Sequence, residues 1–178
     1  MKPEEYVLTT ARVKQEIATM KKCLDRLAKY NLYPNIKAEK IGGFRLSDEE
    51  ALRIVGSLLH DMYTSFENAA KAVAARIDKS MPSGPDWHKE LITQLTLEVP
   101  GVRPAMISPK TAALIEPYRG FRHIFRNLYG FDLSSDKIKE LIKGLPVLVD
   151  ALMTDLTGFI NCLEELAGLD TRNGENHS

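Results

Sequence analysis

Apolar residues along this chain recur mostly with the period of an α-helix, in long stretches separated by short breaks rich in proline, glycine and polar residues. The first stretch is predicted to form a helix that begins near Pro3 and ends before Asn31, because its apolar positions form one continuous stripe. The stripe comprises Val13, Ile17, Met20, Leu24 and Leu27. Gly42 and Gly43 then indicate a connector.

A second, longer helix is predicted between Ser47 and the proline-rich break at 79–85. The sequence SDEE that opens it matches a capping box, with Ser47 as the N-cap and Glu50 reaching back to it. The apolar repeat runs from Leu52 to Ile77, so the helix should be about thirty residues long.

Two further helices are predicted between residues 86 and 130. Asp86 can cap a short helix, and Ser108 followed by Pro109 is typical of the start of a longer one. The longer helix should end near Gly130. Pro117 lies inside it and should kink it or divide it in two, because proline lacks the backbone N–H that a helix interior uses.

A last helix is predicted from the capping residues of DLSSDK (132–137) to about Leu166, with a bend at Pro146. The pattern contains no convincing alternating strand and predicts an all-α fold: an up-and-down helical bundle of four long helices plus a short fifth helix. Residues 1–169 should form one domain and residues 170–178 a disordered tail. Such bundles serve as enzymes, binding modules and scaffolds, so the fold alone names no function.

Composition narrows the classes of protein that fit. The 178 residues are 44% hydrophobic and 27% charged, as in a globular domain, and the formal net charge of zero disfavours attraction of the whole surface to a polyanion. Cys23 and Cys162 lack the spacing of metal ligands and are expected to be buried, reduced thiols. Without a signal-peptide core or a run of ~18 apolar residues, we expect a soluble cytoplasmic protein with no membrane partner.

The densest group of candidate functional residues is YRGFRHIFRNLYGF, at 118–131. On a helix, at about 100° per residue, its basic residues fall on one arc about 100° wide, with Asn127 at the edge. The arc carries Arg119, Arg122, His123 and Arg126. The opposite side carries Tyr118, Phe121, Ile124, Phe125, Leu128 and Tyr129. The pattern predicts an amphipathic helix with a cationic face.

Such a face has the chemistry that cleavage of an RNA backbone needs. Arginine suits bidentate contacts to phosphate, and an adjacent histidine can move protons near neutral pH. Arg119, Arg122 and Arg126 are therefore candidate phosphate ligands, and His123 is a candidate acid–base group. Two other interpretations are open: a solvated basic face, or arginines paired with acids of a neighbouring helix such as Glu67.

The other candidates are weaker. We expect Trp87 to pack in the core beside a surface His88, and His60 and Asp61 to form a polar pair on the second helix. The sequence contains no glycine-rich phosphate loop, zinc motif or serine nucleophile elbow, and it predicts neither a metal nor another cofactor.

FRHIFRNLYGF resembles the signature helix of the HEPN superfamily, in particular its HepT-like branch of ribonuclease toxins. The similarity includes WHKELITQLTLEVPGVRPAMIS and DLSSDKIKEL, and it is most specific between Trp87 and Leu141. The resemblance implies an all-α bundle that forms a homodimer, with the signature helices of two subunits facing a shared cleft. It also implies metal-independent endoribonuclease activity on RNA.

The resemblance further implies a partner and a set of catalytic residues. The partner is a minimal nucleotidyltransferase antitoxin that neutralises the toxin by modifying a tyrosine near the motif, for which Tyr129 is the nearest candidate. In the HEPN motif an arginine is followed by a polar residue and, a few positions later, by a histidine. Arg122 takes the place of the arginine and His123 that of the polar residue, and Arg126 and Asn127 complete the candidate catalytic set.

The sequence departs from the HEPN motif at its end, where Asn127, Leu128 and Tyr129 occupy the positions expected for the histidine. Three interpretations follow. His123 acts as the base from a shifted position, the arginines alone support weak cleavage, or the protein is a nuclease-inactive helical module that binds a nucleotidyltransferase or its nucleotide. A fourth interpretation is an assembly protein whose arginines form salt bridges between subunits.

Overall fold

The computed structural model describes residues 2–127 and 133–168, apart from the side chain of Asn127. Within these residues the structure has five helices: α1 (Pro3–Lys29), α2 (Glu49–Arg76), α3 (Trp87–Leu95), α4 (Pro109–Asn127) and α5 (Ser135–Leu166). A short antiparallel hairpin, β1 (Lys40–Ile41) and β2 (Phe44–Arg45), joins α1 to α2. The prediction of an all-α fold is confirmed, and the predicted tail at 170–178 lies outside the described residues.

α2 lies at the centre of the bundle. It packs against all four other helices, while α5 also packs against α1 and α4. A helix that is covered on most sides needs apolar residues around most of its circumference, and the buried positions of α2 run from Ala51 to Ala74. Two polar side chains, Ser65 and Glu67, are buried among them. Each therefore needs a hydrogen-bond partner inside the protein.

The apolar stripes of α1 and α5 face this core. On α1, four of the five predicted stripe residues are buried, and Ile17 packs against them half-buried. The buried residues of α5 recur at helical spacing from Ile138 to Leu163. By length and composition alone α5 could cross a membrane, a property that the core helices of soluble proteins share.

The helix caps predicted for α4 and α5 are confirmed. The hydroxyl oxygen of Ser108 accepts a hydrogen bond from the backbone N–H of Thr111 at 3.2 Å. The hydroxyl oxygen of Ser134 accepts from the backbone N–H of Lys137 at 3.3 Å. Each serine thereby satisfies an N–H group that the first turn of a helix leaves unpaired.

The predicted start of α2 and the predicted connector before it need correction. α2 has Asp48 rather than Ser47 as its N-cap, and no capping box forms. The Asp48 carboxylate instead accepts from the backbone N–H of Arg45 at 2.7 Å, which ties α2 to the preceding hairpin. Gly42 and Gly43, both at positive φ, form the two-residue turn of that hairpin. Its strands are only two residues long, which is too short to give a recognisable alternating pattern in the sequence.

α4 continues through Pro117 as one helix, so of the kink or division predicted at this residue the division does not occur. Pro117 lies on the exposed side of α4. Water can therefore bind the carbonyl group that loses its helical partner to the proline, and the helix tolerates the residue.

Two hydrogen bonds to α5 fix the position of α4. The hydroxyl group of Tyr118 donates to the backbone carbonyl of Leu141 at 2.7 Å. The carboxylate of Asp155 accepts from the backbone N–H of Ser108, the residue before α4, also at 2.7 Å. The two bonds hold the middle and the beginning of α4 at fixed positions, and so set which of its residues face the core.

Candidate functional site

The structure places Arg122 inside the bundle rather than on the predicted surface. Arg122 is 8% exposed, and its guanidinium reaches both α2 and α3. Its Nη2 donates to Glu67 Oε1 at 3.3 Å, and its Nη1 lies 3.2 Å from His88 Nε2. Glu67 Oε2 lies 2.8 Å from His88 Nδ1. Each of the three side chains thus contacts the other two.

Lys71 and Trp87 complete the surroundings of these three side chains. Lys71 Nζ donates to Glu67 Oε1 at 2.5 Å and lies 4.7 Å from the centroid of the Trp87 ring. The Trp87 ring stacks on His88, with ring centroids 3.5 Å apart. We call Glu67, Lys71, His88 and Arg122 the buried cluster after its buried centre, Glu67 and Arg122; the Lys71 side chain is 36% exposed.

The prediction for Trp87 is confirmed and that for His88 is wrong. Trp87 packs half-buried against the core, as expected. The His88 side chain is only 17% exposed and is bonded to its neighbours, whereas a surface position was predicted. The reason is Glu67: a carboxylate that is 2% exposed requires hydrogen-bond donors around it, and His88 and Arg122 supply two of them.

The electrostatics of the buried cluster favour a neutral His88. Burial lowers the pKa of His88; the charge of Glu67 opposes that shift, and the charges of Arg122 and Lys71 reinforce it. At neutral pH the imidazole is therefore uncharged. Glu67 then offsets one of the two positive charges of Lys71 and Arg122, and the buried cluster keeps a net positive charge.

Arg122 and Ile124 exchange the environments that the helical wheel predicts for them. Arg122 is buried, whereas Ile124 is 52% exposed. The buried face of α4 is rotated by about 50° from the centre of the apolar arc read from the sequence. It comprises Thr111, Ile115, Tyr118, Phe121 and Arg122. The helical wheel predicted the wrong buried face because it sorts residues by hydrophobicity alone. Arg122 is buried because it bonds to polar side chains of other helices.

Arg119 is held by a residue of its own helix. Its Nε lies 2.9 Å from both carboxylate oxygens of Glu116, and its side chain is 26% exposed. Glu116 therefore adds a carboxylate to the face that was predicted to be purely cationic, one turn before Arg119.

The other predicted site residues lie at the C-terminal end of α4. His123 and Arg126 are exposed. The side chain of Asn127 and the whole of Leu128 and Tyr129 lie outside the described residues. The histidine that the structure brings to the Arg122 guanidinium is His88, which the sequence did not predict there, whereas the predicted His123 is exposed.

A metal site is not formed by the side chains in the described ranges, 2–127 and 133–168, since no three His, Cys, Asp or Glu residues lie close enough together. The buried cluster offers one imidazole and one carboxylate. Cys23 is buried and Cys162 half-buried, and both are free thiols whose pKa is raised by burial.

A comparison with known protein families shows which family the chain belongs to. The sequence pattern of the HepT-like protein family matches residues 54–163, which include α3, α4 and the whole buried cluster. The chain belongs to the HepT-like protein family. Membership in this family supports a function of the HEPN type. A search of curated proteins finds no match.

In this HepT-like protein Arg122 pairs with Glu67 of a neighbouring helix, as one of the interpretations of the sequence had it. The sequence offered Glu67 as an acid of α2 for pairing with an arginine of the fourth helix. No such pairing was predicted for His88. Its role depends on how α3 packs against α2 and α4, which local periodicity does not encode.

Proposed function

We propose that this HepT-like protein is a metal-independent endoribonuclease and the toxin of a toxin–antitoxin pair. The observation that carries the proposal is the positive charge at the C-terminal half of α4. The buried cluster keeps a net positive charge around Arg122; His123, the next residue, and Arg126, one turn later, lie exposed on the same helix. An RNA phosphate fits this arrangement, because guanidinium groups bind phosphate oxygens and stabilise the charge that develops during cleavage.

The proposal includes a homodimer. Because the formal net charge is zero, RNA must be gathered by a local patch rather than by the field of the whole molecule. Two copies of α4 facing one cleft would double the patch without changing the net charge. RNA binding should accordingly weaken with salt as expected for a few phosphate contacts.

The proposal also includes a minimal nucleotidyltransferase as the antitoxin, with both proteins in the cytoplasm. Tyr129 is the proposed acceptor of the modification. Its support is the family to which the chain belongs and its place in the sequence, a few residues after the exposed Arg126. Asn127 stays in the proposed catalytic set for the same reason.

The second candidate function is a nuclease-inactive module that binds the nucleotidyltransferase or its nucleotide. Two observations favour it: the α4 motif lacks its terminal histidine, and Arg122 is buried in contact with Glu67. In that case the guanidinium would stabilise the bundle, and the exposed His123 and Arg126 would form the binding surface.

Incubation of purified protein with single-stranded RNA in EDTA tests the proposed function. We expect wild type to cleave the RNA, Arg122→Ala to abolish cleavage, and Arg126→Ala to slow it by about 10²-fold, the usual cost of losing one group that stabilises transition-state charge. Arg12→Ala, which removes an exposed arginine of α1, is the matched control and should cleave at the wild-type rate.

Full activity of a folded Arg122→Ala variant would refute the assignment. Arg122→Lys keeps a positive charge beside Glu67, and so separates a loss of chemistry from a loss of fold. If wild type leaves RNA intact at high protein concentration and co-purifies with the nucleotidyltransferase, the binding module is the correct function.

A further inference from the structure

His88 supplies beside Arg122 an imidazole that the α4 motif lacks. In the HEPN signature the histidine follows the arginine on the same helix, and this chain has none at those positions. The structure brings an imidazole from a different helix, α3, to 3.2 Å from the Arg122 guanidinium. Although His123 adjoins Arg122 in sequence, neighbouring helical residues point about 100° apart, and the two side chains differ in exposure accordingly.

The contacts of His88 define which of its nitrogens carries the proton. Arginine can only donate hydrogen bonds, so His88 Nε2 accepts from Arg122 through its lone pair. Nδ1 must then carry the proton of the neutral ring and donate a hydrogen bond to Glu67 Oε2 at 2.8 Å. A carboxylate that holds one nitrogen of an imidazole leaves the other oriented as a base.

The charges around His88 also suit a base at neutral pH. The groups that face it are Glu67 and Lys71 of α2 and Arg122 of α4. Burial lowers the pKa of His88, the charges of Arg122 and Lys71 lower it further, and Glu67 opposes the shift without reversing it. An imidazole that is neutral at pH 7 can accept a proton, whereas a protonated one cannot.

Arg122 has hydrogen-bonding capacity that the described residues do not use. Its Nε is buried without a hydrogen-bond partner in the described part of the chain. Its contacts to His88 and Glu67, at 3.2 and 3.3 Å, are at the long end of the range for hydrogen bonds. A phosphate group could satisfy the guanidinium better than its present partners do, because it offers charged acceptor oxygens in the matching geometry.

Building on the proposed ribonuclease function, we propose that His88 is the general base of RNA cleavage, positioned by Glu67, and that Arg122 binds the scissile phosphate. In the free protein Arg122 occupies the lone pair of His88 Nε2. When a phosphate engages the guanidinium, that lone pair is released for the 2′-hydroxyl of the RNA.

The reaction at this site is a transesterification within the RNA. His88 Nε2 takes the proton of the 2′-hydroxyl, the O2′–P bond forms and the P–O5′ bond breaks. The 5′ oxygen leaves with a proton from water, and His88 returns its proton to solvent. The products are a 2′,3′-cyclic phosphate and a 5′-hydroxyl end. The substrate class is therefore RNA, since DNA lacks the 2′-hydroxyl.

Single-turnover cleavage rates in EDTA test the role of His88. His88→Asn keeps a donor toward Glu67 but removes the base, and we expect its rate to fall by about 10²–10⁴-fold, the usual contribution of general base catalysis. Added imidazole should restore part of the rate. His60→Asn, which removes the other histidine near α4, is the matched control and should cleave at the wild-type rate.

The pH dependence separates a base from a structural residue. Because the pKa of His88 is lowered, the wild-type rate should rise with pH through a midpoint below the ordinary histidine value of about 6.5 and then level off. The residual rate of His88→Asn should lack this step. Glu67→Gln should shift the step, since it removes the charge that opposes the lowered pKa.

The outcomes distinguish this proposal from the ribonuclease function. If His88→Asn cleaves within about threefold of wild type while Arg122→Ala is inactive, the function stands and His88 is not the base. If His123→Asn alone abolishes the step in the pH profile, His123 is the base. If wild type cleaves no RNA, both proposals are wrong.

A measurement on the wild-type protein covers the case in which His88→Asn fails to fold. Nitrogen-15 NMR of the imidazole should show a neutral His88 with the proton on Nδ1 at pH 7. Addition of a 2′-O-methyl RNA, which binds but cannot react, should shift the Nε2 resonance as Arg122 leaves it. A protonated ring, a proton on Nε2, or an unchanged resonance with saturating RNA would overturn the proposal.

Discussion

Glu67 is 2% exposed on the central helix of the bundle, and three side chains bind it, one from the next turn of the same helix and two from other helices. Burial of a carboxylate is costly unless charged or polar donors replace the water it loses. Lys71, His88 and Arg122 are those donors. The sequence offered the pairing of an arginine with Glu67 as one of its interpretations, and the structure shows that pairing. The sequence could not predict His88, whose position depends on the packing of three helices.

Removal of Glu67 should expose how much the buried cluster contributes to stability. Glu67→Ala leaves the Arg122 guanidinium buried without a carboxylate, and we expect the free energy of unfolding to fall by about 3–5 kcal/mol. Glu140→Ala breaks an exposed pair with Lys137 and should cost less than about 1 kcal/mol. Urea unfolding of both variants measures the difference. A loss of under about 1 kcal/mol for Glu67→Ala would mean that the cluster is not a stabilising network.

α2 and α4 approach each other closely at Gly56, which brings the C-terminal half of α4 against the centre of the bundle. A Cβ atom at Gly56 would lie 2.8 Å from Phe125 Cε2 and 3.4 Å from Phe121 Cζ. The sequence predicted the helices themselves well, because apolar period and capping residues are local properties. It did not predict the face that α4 turns to α2, because that face depends on this contact and on the partners of Arg122.

A methyl group at Gly56 should therefore disturb the contact between α2 and α4. Gly56→Ala forces the Phe125 ring to move, and this overpacking, at about 1–3 kcal/mol, should outweigh the gain of up to ~1 kcal/mol in helix propensity. Gly158→Ala in α5, where no atom lies within 4 Å of the added Cβ, should instead stabilise the protein. Thermal unfolding distinguishes the two variants. Equal gains in stability would show that Phe125 yields without cost.

At the scale of the whole molecule, the family match begins inside α2 and leaves out α1. α1 nevertheless packs against α2 and α5, and its buried side chains are part of the common core. The residues of α1 carry no motif of the family. The sequence nevertheless predicted this helix, because its apolar stripe recurs with the period of an α-helix. The packing of the other helices around α2 could not be predicted, because helical periodicity does not specify which helices contact each other.

α1 should be indispensable for the fold. Leu27→Ala removes a fully buried side chain and should lower the free energy of unfolding by about 2–5 kcal/mol. Leu8→Ala, on the exposed side of the same helix, should change it by less than about 0.5 kcal/mol. A fragment of residues 54–163 should show no cooperative thermal transition by circular dichroism. A cooperative transition in that fragment would show that the family region folds without α1.

We propose that the positive site around Arg122 cleaves RNA through attack of the 2′-hydroxyl on the phosphate. The most direct test incubates purified wild-type protein in EDTA with one oligonucleotide sequence made as RNA, as 2′-O-methyl RNA and as DNA. We predict cleavage of the RNA alone, with 2′,3′-cyclic phosphate and 5′-hydroxyl ends. Intact RNA in the presence of folded protein, or equal cleavage of all three oligonucleotides, would contradict the claim.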